Sequence, residues 1–144
     1  MATTARISWV DDALMVAESG SGHSVTIDGS ADVGGRDLAA RPLELVLMGM
    51  GGCTAIDVIS MLRKQRQDIT SVVVDLEADR AAEPPKVFTA VKLVYRVRGR
   101  KLNRALVERA VQLSDSKYCS ATAMIRKTAD VTHEIVFEEE PVAS

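Results

Sequence analysis

A mixed fold of strands and helices is predicted for this chain, and three stretches carry the prediction. Residues 4–10 (Thr-Ala-Arg-Ile-Ser-Trp-Val) alternate apolar and polar with the period of two that a half-buried strand requires. Residues 42–67 form one long helix with apolar side chains on every side from Leu43 to Leu62. Residues 69–79 and 87–98 alternate again on either side of a link with two prolines, Pro84 and Pro85, and read as a hairpin. With 144 residues, 47% hydrophobic and 26% charged, the chain is sized for one globular domain, 1–144, that buries one core.

The elements follow in order. The alternation of residues 4–10 recurs at 13–18 and 23–28 between glycine and serine punctuation, which predicts a small antiparallel sheet at the start. From Asp32 to Arg41 the pair Gly34-Gly35 and the charges Arg36, Asp37 and Arg41 break the period, marking a loop. Pro42 suits a first helical turn, where its missing amide proton would have no partner anyway.

The helix that follows is all-round apolar, so it is expected to be buried. A membrane span is the competing reading, and Glu44, Asp57 and three glycines inside the window argue against it. Gly49, Gly51 and Gly52 each cost about 1 kcal/mol against alanine in a helix interior and call for a reason, such as close approach of another backbone. The basic exit Leu62-Arg63-Lys64-Gln65-Arg66-Gln67 suits the negative end of the helix dipole. After the hairpin, Leu102 to Leu113 carries helical spacing, Cys119 begins a short helical stretch toward Met124, and Val131 to Phe137 closes the fold as a strand. The tail after Glu140 reads as loose.

Composition excludes some functions. A net charge of −2 and 3% aromatic residues leave neither a basic patch nor a base-stacking platform for nucleic acid. The start Met1-Ala2-Thr3-Thr4-Ala5-Arg6 lacks the pattern of a secretory leader, and two cysteines then imply a reducing, cytoplasmic setting in which a reactive thiol is expected over a structural bridge. The thiols stand 66 residues apart with only His23 and His133 as histidines, which does not fit a zinc site. There is no Cys-x-x-Cys, and the glycines before Cys53 lack the lysine and spacing of a phosphate loop.

Cysteine is the one side chain here able to act as a strong nucleophile near neutral pH without a cofactor. Cys53 lies in Met48-Gly49-Met50-Gly51-Gly52-Cys53-Thr54-Ala55-Ile56-Asp57, and Cys119 in Ser116-Lys117-Tyr118-Cys119-Ser120. On helix pattern alone, Cys53 reads equally as a small buried apolar residue. A papain-like arrangement would need a histidine base, and His133 falls on a predicted strand, where a solvated or hydrogen-bonded role is commoner.

The run from Arg41 to Val58, with Pro42, Glu44 and the helix-borne Cys53, followed downstream by Ser114 to Ser120 with Cys119, resembles the OsmC/Ohr family. The resemblance spans nearly the whole chain in order of elements. It implies an α+β fold, with antiparallel sheets wrapped around long central helices that lie back to back in an intertwined homodimer. It also implies a thiol-dependent peroxidase acting on organic hydroperoxides at the dimer interface, with no bound cofactor and no metal. By position, Cys53 matches the peroxidatic cysteine and Cys119 the resolving one. A dithiol of lipoyl type is the implied external reductant.

The resemblance further implies an arginine that holds the thiolate and a glutamate that orients the arginine, a cation next to sulfur favouring its charged form. Glu44 is the matching carboxylate, one place later than in the peroxidases, with Leu43 between it and Pro42. Arg36 is the better match for the arginine and Arg41 the other. Gly51-Gly52-Cys53-Thr54 in place of alanines and phenylalanine, and Ser120 in place of proline, look like a less-characterised OsmC-like branch. The rival function is a non-enzymatic member of the same fold, binding a small apolar ligand at the dimer interface against Met48, Met50 and Met61.

Overall fold

The computed structural model describes residues 2–141, which fold as two compact units, one up to Met48 and one from Gly49 onward. In the first, β1 (Ala5–Asp11), β2 (Leu14–Ser19) and β3 (Ser24–Ile27) form an antiparallel meander in that spatial order. Their register sets Trp9 opposite Met15 and Met15 opposite Ile27. All of β1 is exposed, Trp9 at 73% and Ile7 at 54%, so this sheet leaves apolar side chains uncovered.

The loop after β3 is ordered by one carboxylate. Asp28, 2% exposed, accepts from the amides of Gly29 at 2.8 Å and of Arg36 and Leu38 at 3.1 Å each. Those bonds, Leu38 first and Arg36 next, hold its carboxyl below the usual range against the opposing effect of burial.

The long helix, α1, spans Pro42–Lys64. Its start is half of a capping box: Pro42 occupies the first turn, and the Glu44 carboxylate reaches back to accept the Arg41 amide at 2.8 Å. It ends three residues short of Gln67 because Arg66 adopts φ 57°, which lets its amide bond the Arg63 carbonyl and the Gln67 amide bond the Leu62 carbonyl. That is a Schellman closure built without glycine.

The expectation of a helix buried all round is corrected by the structure. Met50, Gly51, Thr54, Val58 and Leu62 form one buried stripe, whereas Met48 and Ile56 are 61% and 69% exposed. The physical reason is that this chain supplies a sheet for one face of the helix only. By length and composition, α1 is the one helix among the described residues apolar enough to cross a bilayer.

From Gly49 onward the rest of α1 is joined by β4 (Asp68–Arg80), β5 (Phe88–Arg100), α2 (Arg104–Leu113), α3 (Ser120–Ile125) and β6 (Asp130–Glu139). β4 and β5 pair antiparallel over their full length. The closing strand departs from an all-antiparallel sheet: β6 runs parallel to β5, from Ala90 beside Asp130 to Gly99 beside Glu139. A parallel neighbour needs a long crossover, and α2 and α3 provide it.

From Val91 to Gly99 every second residue of β5 is buried, with Val91, Leu93, Tyr95 and Val97 at 2% exposure or less, and α2 buries Val107, Ala110 and Val111. Each such side chain contributes about 1.5–3 kcal/mol by leaving water. Glu140, the last residue before the tail expected to be loose, is tied to the sheet by Thr70, Arg98 and Arg100; of that tail, residues 142–144 lie outside the described residues.

Candidate active site

Cys53 and Cys119 come together within the second unit. Cys53 rides the middle of α1, half-buried, and Cys119 follows the turn after α2 with 2% exposure. Neither is in a disulfide, and Cys53 is near enough to the Cys119 thiol to act on its titration.

Local structure brings Cys119 there. After α2 the chain makes one wide π-helical turn, Ser114–Tyr118, closed by the Cys119 amide on the Ser114 carbonyl at 2.9 Å. Cys119 then leaves the helical region, at φ −75° and ψ 102°, and becomes the N-cap of α3. Its sulfur accepts the Thr122 amide at 3.4 Å, a place usually held by serine or aspartate oxygen.

Burial pushes the Cys119 thiol above its ordinary value, the bonds from Thr122 pull it back, and neighbouring Cys53 adds to the rise.

Beside the pair runs a chain of buried hydroxyls that the sequence reading did not single out. Tyr95 Oη lies 2.7 Å from Thr54 Oγ1, Thr54 Oγ1 lies 2.8 Å from Ser114 Oγ, and Ser114 Oγ donates to Asp57 Oδ2 at 2.9 Å. Burial, with Asp115, Cys119 and Asp57 as nearby negative groups, pushes the Tyr95 phenol up to about 12 against the pull of the Thr54 bond. The one local signal for this chain was Thr54 and Asp57, polar residues three apart on an otherwise apolar helix face. Ser114 and Tyr95 carry no such mark. His133 meets the Tyr95 ring edge-on at 6.1 Å between centroids.

The other predicted residues are held by bonds inside the first unit. The Arg36 guanidinium donates to Asp11 at 2.6 Å and lies 3.4 Å from Asp12, neither of which the sequence reading named. Glu44 is engaged by the Arg41 amide and Arg41 supplies that amide, so the carboxylates on Arg36 are Asp11 and Asp12.

Comparison with known proteins places this geometry. The family described as OsmC-like protein matches residues 34–134, from the Arg36 loop to His133. Protein YhfA of Escherichia coli strain K12 is 45% identical over 129 residues, covering 90% of this chain and 93% of its own. The solved structure of a hypothetical protein from Aquifex aeolicus VF5 is 26% identical with a TM-score of 0.79, over 96% of this chain and 99% of that one. An organic hydroperoxide resistance protein OsmC from Legionella pneumophila shares the fold, with 21% identity and a TM-score of 0.63 over 94% and 96%. The α+β architecture, the matched span and the relatedness agree: this chain belongs to the OsmC-like protein family.

Proposed function

We propose that this chain is a thiol-dependent peroxidase that reduces organic hydroperoxides, with Cys53 attacking and Cys119 resolving. The observation that supports the reading most is the meeting of two thiols 66 residues apart, one half-buried and one buried. The Cys53 thiolate attacks the peroxide oxygen that becomes the sulfenic hydroxyl, the O–O bond breaks, and the alkoxide takes a proton to leave as the alcohol. Cys119 sulfur then displaces that hydroxyl, which leaves as water with the Cys119 proton, giving a disulfide. An external dithiol, of lipoyl type in this reading, returns both thiols.

Arg36 is the cation proposed for the thiolate and Glu44 the carboxylate that supports it. The working form is proposed to be a cytoplasmic homodimer. Its support is the outward face of α1, where a Cβ added to Gly49 or Gly52 would meet nothing within 4 Å and where Ile56 is bare.

The experiment is addition of one equivalent of an alkyl hydroperoxide to the reduced protein, with thiol counting and mapping of the bridge by mass spectrometry. Rapid loss of both thiols to a Cys53–Cys119 disulfide is expected. A protein that keeps both thiols free while excess peroxide persists is not a peroxidase.

A further inference from the structure

We propose that the hydroxyl chain Tyr95–Thr54–Ser114, ending on the Asp57 carboxylate, is the positioning device of the thiol pair; the catalytic consequence rests on the peroxidase reading above.

The direction of the chain follows from its end. A carboxylate only accepts, so the Ser114 hydroxyl donates to Asp57; the Ser114 oxygen then accepts from Thr54, and the Thr54 oxygen from Tyr95. Every proton points the same way, and Thr54, Ser114 and Tyr95 are each at most 2% exposed. Buried hydrogen bonds of this kind reinforce one another and leave no slack.

Its anchor points are the two backbone segments that carry sulfur. Thr54 follows Cys53, and Asp57 stands one turn beyond it on the same helix face, so two bonds hold the turn of α1 that begins at Cys53. Ser114 opens the wide turn that Cys119 closes, through the Cys119 amide on the Ser114 carbonyl. Tyr95, in the middle strand, fixes both segments to the sheet. Breaking the link at Thr54 releases helix and turn from the Tyr95 strand, leaves Ser114–Asp57 as the one bond of the chain between helix and turn, and keeps the individual elements intact.

The reaction needs that link at one step. Resolution joins Cys53–SOH and Cys119–SH to give the disulfide and water. It competes with a second peroxide, which converts Cys53–SOH to the sulfinic acid and releases an alcohol. Resolution is intramolecular, so its rate follows how much of the time the two sulfurs hold bonding geometry, and small misplacement is costly.

The test uses the full chain and the variants Thr54→Val, Thr54→Ser and Tyr95→Phe, all assayed well below their melting temperatures. The effective concentration of the Cys53–Cys119 pair is measured by equilibration in a glutathione redox buffer, and bridge closure is timed with diamide, neither of which involves peroxide. Thr54→Val is expected to lower both by about tenfold or more, with Thr54→Ser restoring them and Tyr95→Phe intermediate. With excess alkyl hydroperoxide, Thr54→Val is expected to shift product from disulfide to sulfinic acid. A folded Thr54→Val that closes its bridge as the parent does overturns the proposal. If Thr54→Val does not fold, parental values for Tyr95→Phe overturn it instead. A parent that closes with diamide but ignores hydroperoxide overturns the peroxidase reading alone, and the two peroxide-free measurements still decide the positioning role.

Discussion

Gly51 of α1 lies so close to Leu76 of β4 that a methyl group built on the glycine would stand 2.7 Å from Leu76 Cδ1. The approach expected from the glycine run is thus made by a side chain of the sheet, and at Gly51 only, since Gly49 and Gly52 face open space. Gly51→Val is expected to lower stability by about 1–3 kcal/mol through overpacking. A chemical denaturation midpoint no lower than the parent's would show that Leu76 yields freely.

The open side of α1 leads to a prediction on assembly. Ile56→Glu puts a charge in the centre of the bare face, next to Gly49 and Gly52 on the helix surface. It is expected to convert a dimer at micromolar concentration to monomer in sedimentation velocity while leaving the circular dichroism of the chain unchanged. A dimer of parental affinity would place the seam elsewhere.

The two sulfurs are expected to fail differently. Cys53→Ser should abolish peroxide consumption, whereas Cys119→Ser should consume one equivalent and then pass to sulfinic acid, since nothing condenses with the first product. Intact-mass spectra after timed peroxide addition distinguish these outcomes, and repeated turnover by Cys119→Ser would assign resolution to an external thiol.

Tyr95 predicts the alkaline limit of the fold. Its phenol titrates near 12 folded against about 10 unfolded, so between those values the folded state binds more protons than the unfolded one. Its contribution is complete below pH 10 and is lost as pH rises toward 12. Melting temperatures should fall over that window, and fall less steeply in Tyr95→Phe; equal slopes would assign alkaline lability to another group.

At the end of α1, Arg66 holds φ 57° with an exposed side chain. A left-handed residue with a Cβ costs about 1–2 kcal/mol, partly returned by the smaller backbone entropy of a non-glycine residue in the unfolded chain. Arg66→Gly is therefore expected to stabilise by about 0.5–1 kcal/mol, read from the same denaturation midpoints.

Much of this was legible in sequence because it is local. The alternation of residues 4–10, 13–18 and 23–28 became β1 to β3, the proline link became the turn between β4 and β5, and Leu102 to Leu113 became α2 two residues shorter, started by Asn103, whose side chain accepts the Leu106 amide. What escaped is what local patterns do not encode. A period of two makes Val131 to Phe137 a strand but says nothing of its direction, so the parallel register of β6 on β5 was invisible. Apolar residues all round α1 do not say which face the sheet covers, so the single buried stripe was not legible either. The site divides the same way. Thr54 meets Tyr95 and Ser114 across 41 and 60 residues, contacts that only the folded sheet and turn create. Arg36 was legible as a loop cation, but its carboxylates, Asp11 and Asp12, sit in the first hairpin and carry no signature of the pairing.

Because the Cys119 sulfur accepts the Thr122 amide, the oxidation state of that sulfur is registered on the backbone of α3. Alkylation, oxidation or bridging alters the electron density available to that N–H, so deuterium uptake at Thr122 should follow the thiol chemistry without a label on either cysteine. Thr122 would thus serve as a built-in reporter of the state of Cys119.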